Sequence, residues 1–129
     1  MVNHSDAEAL AALYDRYFDA FNRQDVDALE AMYVAPVVIG GGGRVPIRIP
    51  DAAAFRQHMR ASMENLKKAG WHQSVLEHAY VAVMAGDTGI VTAHYRRNRA
   101  DGSEIESGTA NYIARKLGGE WRFVGITAP

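Results

Sequence analysis

The chain has no cysteine in its 129 residues. That excludes disulfides, thiolate nucleophiles and cysteine metal ligands, and it fits a reducing, cytoplasmic compartment. Neither sign of charge is in excess. The 14 Lys and Arg against 15 Asp and Glu give a formal net charge of -1, so no bulk field draws the chain to nucleic acid or to an anionic membrane. No apolar run approaches the ~20 residues needed to cross a bilayer. Asn3, His4, Ser5 and Asp6 stand where a signal peptide would carry a basic and then an apolar segment. There is no internal repeat, and the only low-complexity stretch is Gly40 to Gly43. What remains is 48% apolar and 22% charged, an ordinary globular balance in one domain, residues 1–129, long enough for a single core.

The first third of the chain has a helical period. Leu10, Leu13, Tyr14, Tyr17, Phe18 and Phe21 recur at steps of three and one, which sets them on one stripe of a helix from about Asp6 to Arg23. Ser5 with Glu8 three residues on reads as a capping box. Asn22 to Asp25 is a polar break. Asp25 is the expected N-cap of a second helix carrying Val26, Leu29, Met32 and Tyr33, and Pro36 bars its continuation. A third helix is expected from Asp51 as N-cap to about Lys68, with Gly70 as the stop and Phe55, Met59, Met63 and Leu66 on one face.

The rest reads as sheet. Val37 to Ile39 is a short β-branched strand. The four glycines after it mark either a mobile loop or a place where the backbone passes close to something. Arg44 to Pro50 alternates, and its prolines confine it to an edge. From Trp71 the period changes to two. Strands are expected at about His72 to Ala85, Gly89 to Asn98, Glu104 to Lys116 and Trp121 to Thr127. Hairpin-length turns at Gly86-Asp87-Thr88, Ala100-Asp101-Gly102 and Leu117-Gly118-Gly119 join them, so the strands should be antiparallel neighbours. The fold class is therefore α+β: a curved antiparallel sheet wrapped around three N-terminal helices. The far face of the sheet needs cover, which a homodimer would supply.

Several short signals, in their order, are similar to one known group. They are Arg16-Tyr17, Asp25-Val26-Asp27-Ala28-Leu29, Met32-Tyr33, Gly86-Asp87-Thr88, Lys116 and Gly119-Glu120-Trp121-Arg122-Phe123. Over nearly its whole length the chain resembles the nuclear transport factor 2-like superfamily. That group includes ketosteroid isomerase, SnoaL-type polyketide cyclases, scytalone dehydratase and limonene epoxide hydrolase. The resemblance implies a cone-shaped, cystatin-like α+β roll with a pocket between helix one, helix three and the sheet. It implies that Tyr17 takes the place of the isomerase tyrosine that donates to the substrate oxyanion, with Tyr33 in support. Asn111 falls about where the isomerase carries an unionised aspartic acid, and an amide can donate without a shifted pKa. The departures are equally plain. Gly40 to Gly43 stand where the isomerase carries its basic aspartate, so that reaction in its known form is not expected. The Asp-Arg-Asp set of an epoxide hydrolase is not recognisable either.

Each candidate residue also has a structural reading. Tyr17 and Tyr33 lie on apolar stripes and could be core tyrosines whose hydroxyls find any partner. Asn111 sits in a strand otherwise rich in Ala, Tyr and Ile, and if it faces inward it must be hydrogen-bonded. His58, His78 and His94 form no pair at metal-ligand spacing, so no metal is expected. His94, mid-strand, is the best acid–base candidate among them, although its sheet face is not readable. Phe55, His58 and Met59 are expected to line the pocket, with Trp71 at its mouth. Arg96, Arg97 and Arg99 make either a solvated strand end or an anchor for an anion. The glycine run is no phosphate loop, since no Gly-Lys-Ser/Thr follows.

Two functions from different classes follow. One is a pocket for a small apolar or partly oxygenated ligand, with cofactor-free acid–base chemistry next to a carbonyl (isomerisation, cyclisation or dehydration) on Tyr17, Asn111 and His94. The other is a non-catalytic binding or dimeric scaffold module, which the missing carboxylate favours.

Overall fold

The computed structural model describes residues 4–129, with side chains from Ser5 onward. Helix α1 (His4–Asn22) is built on the aromatic stripe, and Leu10, Leu13, Tyr14, Tyr17 and Ala20 are buried along it. Ser5 already lies inside the helix, so it is not the cap that the Ser5–Glu8 spacing predicts. At the break, the Asp25 carboxylate accepts from the Ala28 amide at 3.1 Å and starts α2 (Val26–Ala31). Helix α2 stops short of Tyr33. There the chain enters strand β1 (Tyr33–Gly41), because the Met32 carbonyl accepts from the Phe123 amide at 2.9 Å and draws the segment into sheet pairing. Strand β2 (Arg44–Ile49) and helix α3 (Ala52–Lys68) follow, the latter capped by Asp51, which accepts from the Ala54 amide at 2.8 Å. Strands β3 (Trp71–Met84), β4 (Thr88–Arg99), β5 (Glu104–Leu117) and β6 (Glu120–Thr127) complete the chain within one or two residues of the expected limits.

The six strands form one curved, unclosed sheet in the order β2-β1-β6-β5-β4-β3. All neighbours are antiparallel except β1 and β6, which run parallel. The proline-bearing strand β2 is at an edge, as its missing donors require. The two-residue period decides which side chains meet the helices. Val91 and Ala93 of β4, Ala110, Tyr112 and Ala114 of β5, and Trp121 and Phe123 of β6 are buried in the core with α1. Their neighbours Thr92, His94 and Asn111 alternate onto the outer face.

Polar pins fix the helices on this sheet. The buried Asp6 carboxylate accepts from Lys116 Nζ at 2.8 Å and from Trp121 Nε1 at 3.4 Å, tying the start of α1 to β5 and β6. At the other end, the Asn22 amide donates to the Ser74 carbonyl at 3.1 Å, and its oxygen accepts from the Ser74 amide at 2.9 Å. Arg56 of α3 pairs with Asp27 at 2.7 Å and with Glu30, joining α3 to α2. The glycine run resolves in favour of close approach. A Cβ on Gly41, whose φ is +107°, would fall 2.1 Å from the Ala128 carbonyl oxygen, so only glycine fits where β1 turns against the chain's last residues.

Lys116 holds the Asp6 carboxyl below the usual carboxylate range, against an opposing push from burial. A group with a lowered folded pKa stabilises above its unfolded value and loses that contribution as pH falls through the folded one. Asp6→Asn is therefore expected to melt below the native protein at pH 7. The gap should close below about pH 4, the unfolded range of Asp. Melting curves from pH 7 to pH 3 check this, and a gap of constant size would refute it.

Candidate active site

Between α1, α3 and the concave face of the sheet lies a cavity of about 390 Å³. Its apolar wall includes Phe21, Ile39, Phe55, Met59, Leu66 and Ile126. Its polar groups are Tyr17, Tyr112, His58, Ser62, Asn65, Arg44 and Arg97. No acidic side chain lines it. A void of about 30 Å³, room for roughly one water, adjoins it and shares Tyr17, Phe21, Arg97 and Tyr112. Two further hollows are comparable in size. One, about 400 Å³, lies between α1 and the β5–β6 turn, where Arg16 and Glu120 are exposed. The other, about 290 Å³, is an apolar groove of Val38, Pro46, Ile113 and Val124 on the outer sheet face. Of these hollows, only the concave cavity combines an apolar lining with buried phenols and a half-buried imidazole, the pattern of a small-molecule site.

The phenols come from three elements and meet at one end of α1. Tyr17 lies 5.0 Å from the Tyr112 ring and 6.0 Å from the Tyr33 ring, centroid to centroid, and Tyr14 lies 5.0 Å from Tyr112. The hydroxyls interact in the order Tyr14, Tyr112, Tyr17, Tyr33. Burial raises all four well above the ordinary phenol value, so each keeps its proton and can donate at neutral pH. Tyr33 ends the series. Its hydroxyl is near enough to Tyr17 to feel it but has no hydrogen bond formed.

His58 sits on the inward face of α3 beside Phe55 and Met59. Burial lowers its pKa below the ordinary imidazole value, so the ring is neutral at pH 7 and able to accept a proton. Arg97 comes from β4 and donates to Glu106 at 2.6 Å. Arg44, after the β1–β2 turn, donates to the Gly41 carbonyl at 3.0 Å and reaches the Ala128 carbonyl at 3.3 Å. Among the described residues no group of three or more His, Cys, Asp or Glu is arranged to hold a metal.

Of the residues singled out from sequence, Tyr17, Phe55, His58 and Met59 line the cavity together. Tyr33 stacks behind Phe55 at 4.4 Å and is not on the wall. Trp71 packs edge-on against Phe21, with Nε1 donating to Ser74 Oγ at 3.0 Å, and does not reach the cavity. Asn111 and His94 fall on the outer face, away from Tyr17. Asn111 Oδ1 accepts from Thr92 at 2.7 Å, and its amide donates to Thr127 at 3.1 Å. His94 Nδ1 is 2.7 Å from Thr109 Oγ1, and its ring is 4.3 Å from His78. The expected Tyr17–Asn111 donor pair is therefore not formed. The residue one place on, Tyr112, takes the inward position. Sequence reasoning missed Tyr112, Ser62, Asn65 and Arg44. Tyr112 left a signal, since inward and outward residues alternate along β5, and so did Ser62, one helical turn after His58 beside the apolar face of α3.

A roll of three helices on a bent six-stranded sheet, with its hollow between helices and sheet, defines the nuclear transport factor 2-like class. The chain belongs to the family described as NTF2-like protein (DUF6841), whose model matches residues 7–129. Solved structures agree on the fold. An NTF2-like protein of unknown function from Pseudomonas putida KT2440 is 20% identical, with 99% of this chain and 88% of that one aligned at a TM-score of 0.78. An NTF2-like protein with a cystatin-like fold from Novosphingobium aromaticivorans is 22% identical, over 96% and 80% of the two chains, at 0.76. A ketosteroid isomerase-like protein from Erwinia carotovora atroseptica is 19% identical, over 95% and 94%, at 0.71. A search of curated proteins gives no match. No helix among the described residues is long and apolar enough to cross a membrane.

The unbonded Tyr33 hydroxyl yields a test. Removing a buried hydroxyl that lacks a partner relieves a desolvation cost, so Tyr33→Phe is expected to leave stability unchanged or raise it by up to about 1 kcal/mol. Denaturant unfolding measures this. A loss of more than about 1 kcal/mol would mean the hydroxyl is hydrogen-bonded.

Proposed function

We propose that this chain binds a small, mostly apolar, partly oxygenated molecule in the concave cavity, with Tyr17 and Tyr112 donating to a carbonyl or enolate oxygen. The observation that carries the reading is the pair of protonated phenols in a cavity that also has a broad apolar wall. Donors held in a dry, rigid setting stabilise developing negative charge on oxygen without needing to reorganise. His58, neutral and on the same cavity wall, is the group able to take a proton from carbon beside that oxygen. The reaction class supported is cofactor-free proton transfer next to a carbonyl, as in isomerisation, cyclisation or dehydration. Binding without turnover is the second reading, and the cavity's lack of an acidic side chain favours it.

Tyr17→Phe is expected to weaken binding of phenolate-type ligands by about tenfold or more, the worth of one hydrogen bond to a charged oxygen. Titration calorimetry reads this, and unchanged affinity would remove Tyr17 as a donor. His58→Gln separates the two readings. With catalysis, turnover of an enolisable ketone falls at least about a hundredfold. The native protein then shows an acid limb with its midpoint below about 6.5, the ordinary imidazole value, because only the neutral ring is active and burial lowers its pKa. If turnover is absent from the native protein while ligand affinity survives His58→Gln, the cavity binds without reacting.

A further inference from the structure

We infer that the molecule taken by this cavity is an apolar monocarboxylate, its charged end held by Arg97 and Arg44; this rests on the reading of the cavity as a ligand site. Two guanidinium groups line the cavity and no acidic side chain does. In a chain whose formal net charge is -1, that is a local excess of positive charge. Beside an apolar wall it attracts an anion more strongly than the same groups would in open water.

Arg97 is the better-built of the two. It is on the inward face of β4, and three contacts fix its plane. Nη1 donates to Glu106 at 2.6 Å, and the guanidinium carbon lies 4.9 Å from the centroid of the Tyr95 ring and 6.0 Å from that of Phe21. Arginine over aromatic faces is a favourable arrangement that also limits how the group can turn. Glu106 takes one corner of the fork and offsets part of its charge. Nε is buried and has no acceptor. Being buried, Nε is closed to a ligand, and a ligand carboxylate is met by the part of the guanidinium that lines the cavity. Gly108, opposite Tyr95 in the β4–β5 pairing, keeps this end of the sheet free of a side chain; a Cβ there would lie 2.9 Å from the Tyr95 hydroxyl and 3.1 Å from Pro129.

Arg44 supplies the second charge. Backbone oxygens of Gly41, Ala128 and Pro129 hold it at 3.0, 3.3 and 3.3 Å. These contacts orient the side chain through the backbone of the β1–β2 turn and the last residues, while the group remains on the cavity wall. The body of the ligand meets Ile39, Phe55, Met59 and Leu66, which accept a ring or short chain but no second charge.

The test is calorimetry on the full chain with benzoate, 2-naphthoate and octanoate, each beside its primary amide. The expected result is that at least one acid binds about tenfold or more tightly than its amide, the worth of one charged hydrogen bond. Arg97→Gln should bring that acid to within about threefold of the amide, and Arg44→Gln should cost it several-fold. Raising salt from about 20 to about 500 mM should weaken the acid and leave the amide unchanged. If Arg97→Gln does not fold by circular dichroism, Arg44→Gln and the salt titration decide. Amides binding as tightly as acids would overturn the carboxylate assignment and leave the cavity reading standing. Failure of both series to bind would overturn the two together, and acid affinity indifferent to both Arg variants and to salt would overturn the assignment alone.

Discussion

The fold depends on one contact, the aromatic edge of α1 driven into the concave side of the sheet. Tyr14 and Tyr17 each lie 5.0 Å from Tyr112, Tyr17 lies 5.7 Å from Phe123, and Tyr33 bridges from Phe123 to Phe55 of α3. An aromatic side chain buries on the order of 150–250 Å². At about 25 cal/mol/Å² each ring is worth roughly 4–6 kcal/mol as an upper bound. The hydroxyls among these rings cost about 1–3 kcal/mol apiece where they lack full hydrogen bonding. Burial wins at each position, so the core tolerates phenols that are short of partners. That surplus lets a packing cluster carry donors as well.

The sequence exposed this arrangement unevenly, and physics says where the division falls. A period of 3.6 or 2 is local, so Leu10 to Phe21, Phe55 to Leu66 and the four long strands were legible without the structure. The hairpin turns were legible too, because Gly and Asp at a reversal are constrained by a few torsions. Tyr33 was misplaced on a helix because what ends α2 is distant in sequence, the amide of Phe123 on a strand about ninety residues away. Asn111 and Tyr112 show the sharper limit. They are adjacent, one residue of register separates the cavity wall from the outer face, and the alternation of Ala110, Tyr112 and Ala114 with Thr109, Asn111 and Arg115 is a better guide to the face than a count from a distant turn. Shifts in pairing, such as the one between Ile113 and Ala114, further break the simple count from a strand's end.

The same register accounts for the polar residues that had no evident structural use. Thr92, Asn111 and Thr127 join across β4, β5 and β6 through hydrogen bonds of 2.7 and 3.1 Å. His94 pairs with Thr109 on the adjacent strand and lies directly opposite His78. Cross-strand pairs of this kind contribute about 0.2–1 kcal/mol each. A mid-strand amide is thus satisfied sideways by its neighbours, and its polarity requires no ligand. By contrast, the neighbours leave two buried polar atoms, Arg97 Nε and the Tyr33 hydroxyl, without a partner.

The chemistry open to the cavity follows from what its walls hold. A carboxylate base would need a counterbalancing desolvation to raise its pKa toward neutrality, and the cavity lining offers no such group. An imidazole begins near the right range, and burial moves His58 to the neutral side of it. The move has two opposed effects. More of the ring is in the accepting form at pH 7, while each neutral ring is a weaker base than a free one. A weak base abstracts a proton from carbon only when the product anion is stabilised strongly, so the burden shifts to the donors. Buried phenols whose pKa values lie far above that of bulk phenol hold their protons and give hydrogen bonds without surrendering them. On the proposed reading, a carbonyl-activated carbon acid is therefore the most demanding substrate that these donor and acceptor strengths would handle, and any less acidic molecule would simply be retained.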